Sequence, residues 1–204
     1  MDRCVKTLHA FGTMMKFIEK INFTADLQQM INDLNLFISR NPWPNTTFMH
    51  NNQKYHANQL GLTYRPNADY PLGDAGGSLY DPVTNSFTSS ETDFTEWSDV
   101  EPYTKNIIEQ FSTFVDSKFG RIRYMRLMPK TGLSVHADFE CRYHYVLETN
   151  KYAYFGEAVN DNELSAKCYN IPADGSFYRV DTTKEHFVYN GGWEPRIHLV
   201  ICSA

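Results

Sequence analysis

No stretch of the 204 residues is apolar for about 18 positions, the length a helix needs to cross a bilayer, so no membrane-spanning helix is expected. Cysteine is scarce. Cys4, Cys141, Cys168 and Cys202 form no CxxC pair and match no zinc spacing, and the expectation is four reduced thiols in a cytoplasmic protein. An excess of positive charge is also missing. Nineteen Lys and Arg against 24 Asp and Glu leave a net −5, which argues against a protein that holds phosphate backbones, so no nucleic-acid partner is expected. Met1 to Lys20 carries cations but no continuous apolar stretch and no small-residue cleavage site, so it does not read as a signal peptide. Internal repeats and low-complexity tracts are absent as well. What is abundant is aromatic: 14 Phe, 13 Tyr and 3 Trp, with 42% hydrophobic and 21% charged residues. That is a globular composition, long enough for a sizeable core without disulfides, and the Tyr content suits a partly wet interior.

The chain changes texture twice. Residues 1–119 read as N-terminal helices and a loop-rich region, and 120–204 as a β core, the two forming one compact domain overall. A helix is expected over Thr24 to Arg40, where Leu27, Met30, Ile31, Leu34 and Ile38 recur at helical spacing, with a weaker one before it around Leu8 to Ile21. A further helix is expected over Tyr103 to Lys118. Pro102 precedes it, Ile107, Ile108, Phe111, Phe114 and Val115 form one face, and Gly120 serves as a stop. Between them, Asn41 to Pro102 is rich in Asn, Pro, Gly, Ser and Thr. It carries eight acids against Lys54 and Arg65, a local −6, while the rest of the chain sums to +1. A loop this long suggests a cover over a binding site, with a coiled surface carrying short unseen strands as the alternative. After Gly120, eight short strand candidates are separated by turn signals: Arg121 to Met128, Leu133 to Asp138, Arg142 to Glu148, Tyr152 to Glu157, Ala166 to Asn170, Ser176 to Val180, His186 to Tyr189 and Arg196 to Cys202. This pattern predicts an antiparallel sandwich or barrel.

Chemistry concentrates in that β region. On a strand, residues i and i+2 face the same way, so His136 and Asp138 project together. Such a pair can ligate a metal, orient a hydrogen bond or simply be surface. His186, fifty residues on, offers a third ligand, and two histidines with one carboxylate form the facial triad of non-haem Fe(II) oxygenases, although Zn(II) or Mn(II) would also fit. Arg196 follows ten residues later across the Asn190-Gly-Gly192 turn. Arg142 and His144 share a strand face. If these face inward, the cavity is cationic and suits a small dicarboxylate, which a guanidinium grips bidentately.

Met128-Pro-Lys-Thr-Gly132, His136-Ala-Asp138, Arg142-Tyr-His144, Gly175 through Asp181 to His186, and finally Arg196 occur in that order. In this the chain resembles the aspartyl/asparaginyl β-hydroxylase family of 2-oxoglutarate- and Fe(II)-dependent dioxygenases, over roughly Arg121 to Cys202. The resemblance implies a mainly β fold with flanking helices, a cupin-like double-stranded β-helix or jelly roll. It implies His136, Asp138 and His186 as iron ligands, Arg196 on the distal carboxylate of 2-oxoglutarate, and Arg142 and His144 around the cosubstrate. It further implies hydroxylation of an unactivated C–H bond with release of succinate and CO₂, the partners being 2-oxoglutarate, dioxygen and a prime substrate that the sequence does not name. The animal peptide hydroxylases of the family have glycine where this chain has Asp138, which sets their substrate aside. His198, on the face of Arg196, is expected either to orient Arg196 or to be a satisfied core histidine. Trp193 either lines the mouth or packs in its turn, Asp181 bonds locally, and Cys141 is a buried thiol. His9, His50 and His56 read as surface. Two alternatives differ in class: a non-oxidative cupin-type metal enzyme, which would not need Arg196, and a non-enzymatic jelly-roll binding or structural protein, which would tolerate loss of all three ligands.

Overall fold

From Phe119 onward the chain forms eight strands in the computed structural model, which describes residues 16–44, 46–50, 53–81, 83–160 and 163–204. The main elements are β1 (Ile18–Thr24), α1 (Leu27–Arg40), β2 (Gln59–Gly61), α2 (Pro102–Phe114), β3 (Phe119–Leu127), β4 (Thr131–His136), β5 (Arg142–Glu148), β6 (Ala153–Asn160), β7 (Glu163–Tyr169), β8 (Ser176–Val180), β9 (His186–Asn190) and β10 (Arg196–Ser203). Two compact units contain them. One comprises the described residues up to Leu27 with Arg126–His198, and the other Gln28–Met125 with Leu199–Ala204.

The first unit is the jelly roll. One sheet runs β1–β8–β5–β10, and the other runs β4–β9–β6–β7. Register is antiparallel in both: Arg142 lies opposite Val180 and His144 opposite Tyr178, His136 opposite His186 and Leu133 opposite Val188, and Phe155 opposite Val188 with Glu157 opposite His186. Leu127, Val146, Phe155, Ile171, Tyr178, Val180 and Val188 form a buried cluster, each large side chain contributing ~1.5–3 kcal/mol on burial. The period of two then explains where the polar residues lie. Val188 is two residues from His186 on β9, and Val146 is two from His144 on β5, so the face that supplies the core also supplies the site. The Pro172-to-Gly175 turn needs its glycine, because Gly175 has φ +77 and an added Cβ would stand 2.8 Å from the Ala25 carbonyl oxygen.

β1 corrects the reading of the N-terminal region. The expected helix around Leu8 to Ile21 gives way to strand from Ile18, which pairs with Val180 across to β8; the residues before Lys16 lie outside those described. The next helix starts at Leu27, not Thr24, because Thr24 is still paired in the sheet, opposite Ser176. Cys168 and Cys202 carry free thiols, whereas Cys141 is in a disulfide, so neither the full set of reduced thiols nor a Cys141 thiol is found; Cys4 lies outside the described residues.

The second unit carries the helices. Met30, Leu34 and Phe37 of α1 are buried, and Phe37 meets Tyr124 edge-on at 5.6 Å. Buried Asp33 accepts from the backbone N–H and hydroxyl of Thr104, at 3.0 and 2.8 Å. A carboxylate there satisfies the first turn of α2 and complements its dipole. That helix stops at Phe114, short of Lys118: Asp116, at φ 49, makes the turn, and Phe114 is exposed. Gly120 is therefore no helix stop. It lies in β3, where an added Cβ would meet the Glu91 carbonyl oxygen at 2.4 Å, and the same Glu91 pairs with buried Arg121 at 2.5 Å. The segment expected as loop holds short ribbons, Thr63–Tyr64 with Glu96–Trp97 and Tyr80–Asp81 with Ser86–Phe87, besides β2 against β3. No helix among the described residues is long and apolar enough to cross a membrane.

Candidate metal centre

His136 ends β4, Asp138 follows two residues later, and His186 opens β9; the 136–186 cross-strand pair brings the first and third together. Their rings lie 4.3 Å apart between centroids. The backbone N–H of Asp138 donates to the Thr182 carbonyl at 2.7 Å, which anchors the turn carrying its carboxylate. One ligating atom from each of the three residues lies within 4.8 Å of the others. Asp138 Oδ2 stands 3.7 Å from His186 Nε2.

Hydrogen bonds fix which atoms face inward. His136 Nδ1 is 2.7 Å from the Ser134 carbonyl and His186 Nδ1 is 2.9 Å from the Lys184 carbonyl. A carbonyl only accepts, so both Nδ1 atoms carry the proton and both Nε2 atoms keep a lone pair, the form a metal needs. Burial holds His186 below the ordinary imidazole value, offset by the Lys184 carbonyl and reinforced by His136, so it stays neutral. Asp138 divides its oxygens. Oδ1 accepts from Arg142 Nη2 at 2.6 Å, and Oδ2 is buried without a hydrogen-bond partner. A buried carboxylate oxygen with nothing to accept is costly unless a cation occupies the space before it. Two imidazole nitrogens and this oxygen fit a divalent metal of the Fe(II), Mn(II) or Zn(II) type.

A second polar cluster lies in the same unit. Arg196 is buried on β10, with its guanidinium 5.0 Å from the Phe155 ring centroid. Its Nη2 is 3.0 Å from His198 Nδ1, and that atom is 3.3 Å from His144 Nδ1. Burial alone pulls Arg196 down to about 9. Burial first, then Arg196 and His144, hold His198 well below its usual value. Phe155 connects the two clusters, its centroid being 5.0 Å from that of His144, 6.5 Å from His198 and 6.3 Å from His186.

The structure thus brings His136, Asp138, His186 and Arg142 into one group and Arg196, His198 and His144 into another. Arg142 braces the metal-side carboxylate, although its Nε remains buried without a partner. Trp193 is 77% exposed in its turn, with Lys130 Nζ 4.0 Å from its ring centroid. Asp181 bonds locally, accepting from Thr183 at 2.6 Å. Two participants are not visible as such in the sequence. Phe155 shows only as the inward residue of a strand, and Glu157, opposite His186, is held by Lys184 at 3.2 Å and by the Tyr169 hydroxyl at 3.1 Å. Period-two counting from Ala153 places both on the inner face, but nothing in the sequence says what they meet.

Residues 82–203, more than half of the chain, match the family model described as aspartyl/asparaginyl beta-hydroxylase. No curated protein matches the chain. Among solved structures, AviO1 from Streptomyces viridochromogenes Tue57 aligns with TM-score 0.53 at 11% identity, covering 92% of this chain and 89% of that one. A 2OG-Fe(II) oxygenase family oxidoreductase from Burkholderia pseudomallei aligns with TM-score 0.40 at 14% identity over 52% of this chain, a match spanning 59% of that protein's length. A cupin domain from Bordetella pertussis aligns with TM-score 0.35 at 13% identity, covering 44% of this chain and 85% of that one.

Proposed function

Because the chain belongs to the aspartyl/asparaginyl β-hydroxylase family, we propose that it is an Fe(II)- and 2-oxoglutarate-dependent dioxygenase that hydroxylates an unactivated C–H bond of an amino-acid, peptide or small-metabolite substrate. The observation that carries this reading is that His136, Asp138 and His186 each bring one ligating atom within 4.8 Å of the others, while Asp138 Oδ2 is buried with no hydrogen-bond partner. Fe(II) with 2-oxoglutarate and dioxygen supplies, when bound, the oxidising power for hydroxylation and yields succinate and CO₂.

The chain's own residues have distinct tasks in this reading. His136 and His186 offer Nε2, with the tautomer set by the Ser134 and Lys184 carbonyls. Asp138 offers Oδ2 while Arg142 holds Oδ1, which orients the carboxylate. Arg196 takes the distal carboxylate of 2-oxoglutarate by a charge-assisted pair. His144 and the remaining donors of Arg142 lie around the cosubstrate. Phe155 keeps water from the ground between the clusters, where electrostatic attraction is strongest. The N₂O donor set suits Fe(II) better than a metal that prefers sulfur.

The test is succinate formation from 2-oxoglutarate by the Fe(II)-loaded protein in air. Production should require added Fe(II) and vanish in His186→Ala. Equal production by His186→Ala, or none by a folded wild-type protein that holds iron, would overturn the proposal.

A further inference from the structure

Arg196 is a buried arginine with no counter-charge among the described residues. Arg121 has Glu91 and Arg142 has Asp138. Around Arg196, the described residues provide the face of Phe155 and one nitrogen of His198, and burial is the sole influence on its acidity. The position where a carboxylate could sit is filled by an imidazole.

The hydrogen-bond chain determines the state of that imidazole. A guanidinium can only donate, so His198 Nδ1, 3.0 Å from Arg196 Nη2, must be the bare acceptor. His144 Nδ1, 3.3 Å from the same atom, must then carry the proton and donate too. His198 therefore has its own proton on Nε2, an atom that is buried and has no hydrogen-bond partner. Burial and the adjacent guanidinium both oppose a second proton.

We propose that His198 is a positioning residue: it anchors the Arg196 guanidinium through an uncharged lone pair, and so leaves the whole positive charge for the carboxylate of a bound anion. A carboxylate at 198 would anchor the guanidinium equally well but neutralise it, and an aliphatic side chain would leave both the charge and the side chain free to turn. The inference rests on the 2-oxoglutarate reading for the identity of the anion, but the state of His198 is independent of that reading.

Three substitutions separate these effects: His198→Asn keeps an uncharged acceptor, His198→Leu removes it, and His198→Asp adds a charge. The measurement is anaerobic calorimetric titration of 2-oxoglutarate into Mn(II)-loaded protein, with Mn(II) affinity and thermal unfolding measured separately for each variant. Mn(II) affinity should not move. Affinity for 2-oxoglutarate should stay within ~3-fold in His198→Asn, fall ~10-fold in His198→Leu and fall ~100-fold in His198→Asp, the scale of charge-assisted pairs. A folded His198→Leu that binds as tightly as His198→Asn, or a His198→Asp that binds like the wild type, overturns the proposal. The ¹⁵N shifts of labelled histidine in the ligand-free wild type give a second reading, with Nδ1 of His198 expected unprotonated; a protonated Nδ1 overturns the proposal whatever binds. Wild-type protein that holds Mn(II) but takes no 2-oxoglutarate defeats the oxygenase reading instead, and the ¹⁵N result still decides for or against His198.

Discussion

The two polar clusters flanking Phe155 handle charge in opposite ways. In the histidine–aspartate cluster each imidazole is tied to a carbonyl and one carboxylate oxygen is tied to an arginine, so that a single negative oxygen remains unmatched. In the arginine cluster the hydrogen-bond anchor found among the described residues is an uncharged nitrogen, so that a positive group has no counter-charge there. Burying either imbalance is unfavourable by itself. Both lie near one phenyl ring, and in the proposed reading a cation and an anion each find an incomplete partner there. A chelating dicarboxylate on a divalent metal answers both.

Breaking the metal side should have the largest effect. Asp138→Ala or His186→Ala is expected to weaken divalent-metal binding by ~100-fold or more, since it removes one of three ligands, and the loss is measurable by Mn(II) titration. Breaking the arginine side should leave the metal in place. Arg196→Leu is expected to lower 2-oxoglutarate affinity ~100-fold with Mn(II) affinity unchanged, and to raise the stability of the ligand-free protein by ~1–3 kcal/mol in urea unfolding, because an unmatched buried charge is removed. Equal loss of both affinities would show that the two clusters do not work separately. Arg142→Met probes the brace between an arginine and the metal side, and metal affinity should fall ~10-fold as the Asp138 carboxylate loses its orientation.

A weaker effect is expected with pH. His198 is depressed by burial, Arg196 and His144, so below about pH 6.5 the unfolded chain takes up a proton that the folded chain refuses. Its share of stability is therefore complete above that pH and declines as the solution is acidified. Comparing unfolding from pH 6.5 to 5, His198→Asn should flatten the decline by up to one proton, ~1.4 kcal/mol per pH unit. The smallest effect is expected at Trp193→Ala, which loses one exposed cation–π contact with Lys130 and should change stability by ~0.5 kcal/mol and ligand binding not at all.

The β region was legible because a period of two is a strong signal. The strand expected over Arg142 to Glu148 has those same limits in the structure, and His136 and His186 meet across neighbouring strands as inward positions. The N-terminal region was misread for a specific reason. Phe17, Ile18 and Ile21 also satisfy a helical spacing, and only pairing with Val180 decides for strand. The contact between Asp138 and Arg142 was hidden because Asp138 lies past the end of β4, where the period no longer tells direction. Asp33 likewise reads as one more polar position on α1, and its role becomes visible only with Thr104, 71 residues away, against it. Local pattern gave the faces, whereas contacts between distant residues came only with the fold.

The central claim is that one site takes a metal and a dicarboxylate together, each through its own cluster. Anaerobic titration of 2-oxoglutarate into the Fe(II)-loaded protein, followed by visible absorption, tests it most directly. A charge-transfer band should grow to one equivalent, weaken in Arg196→Ala and be absent in His136→Ala. A folded, iron-loaded wild-type protein that develops no band, or a His136→Ala variant that develops the full one, would contradict the account.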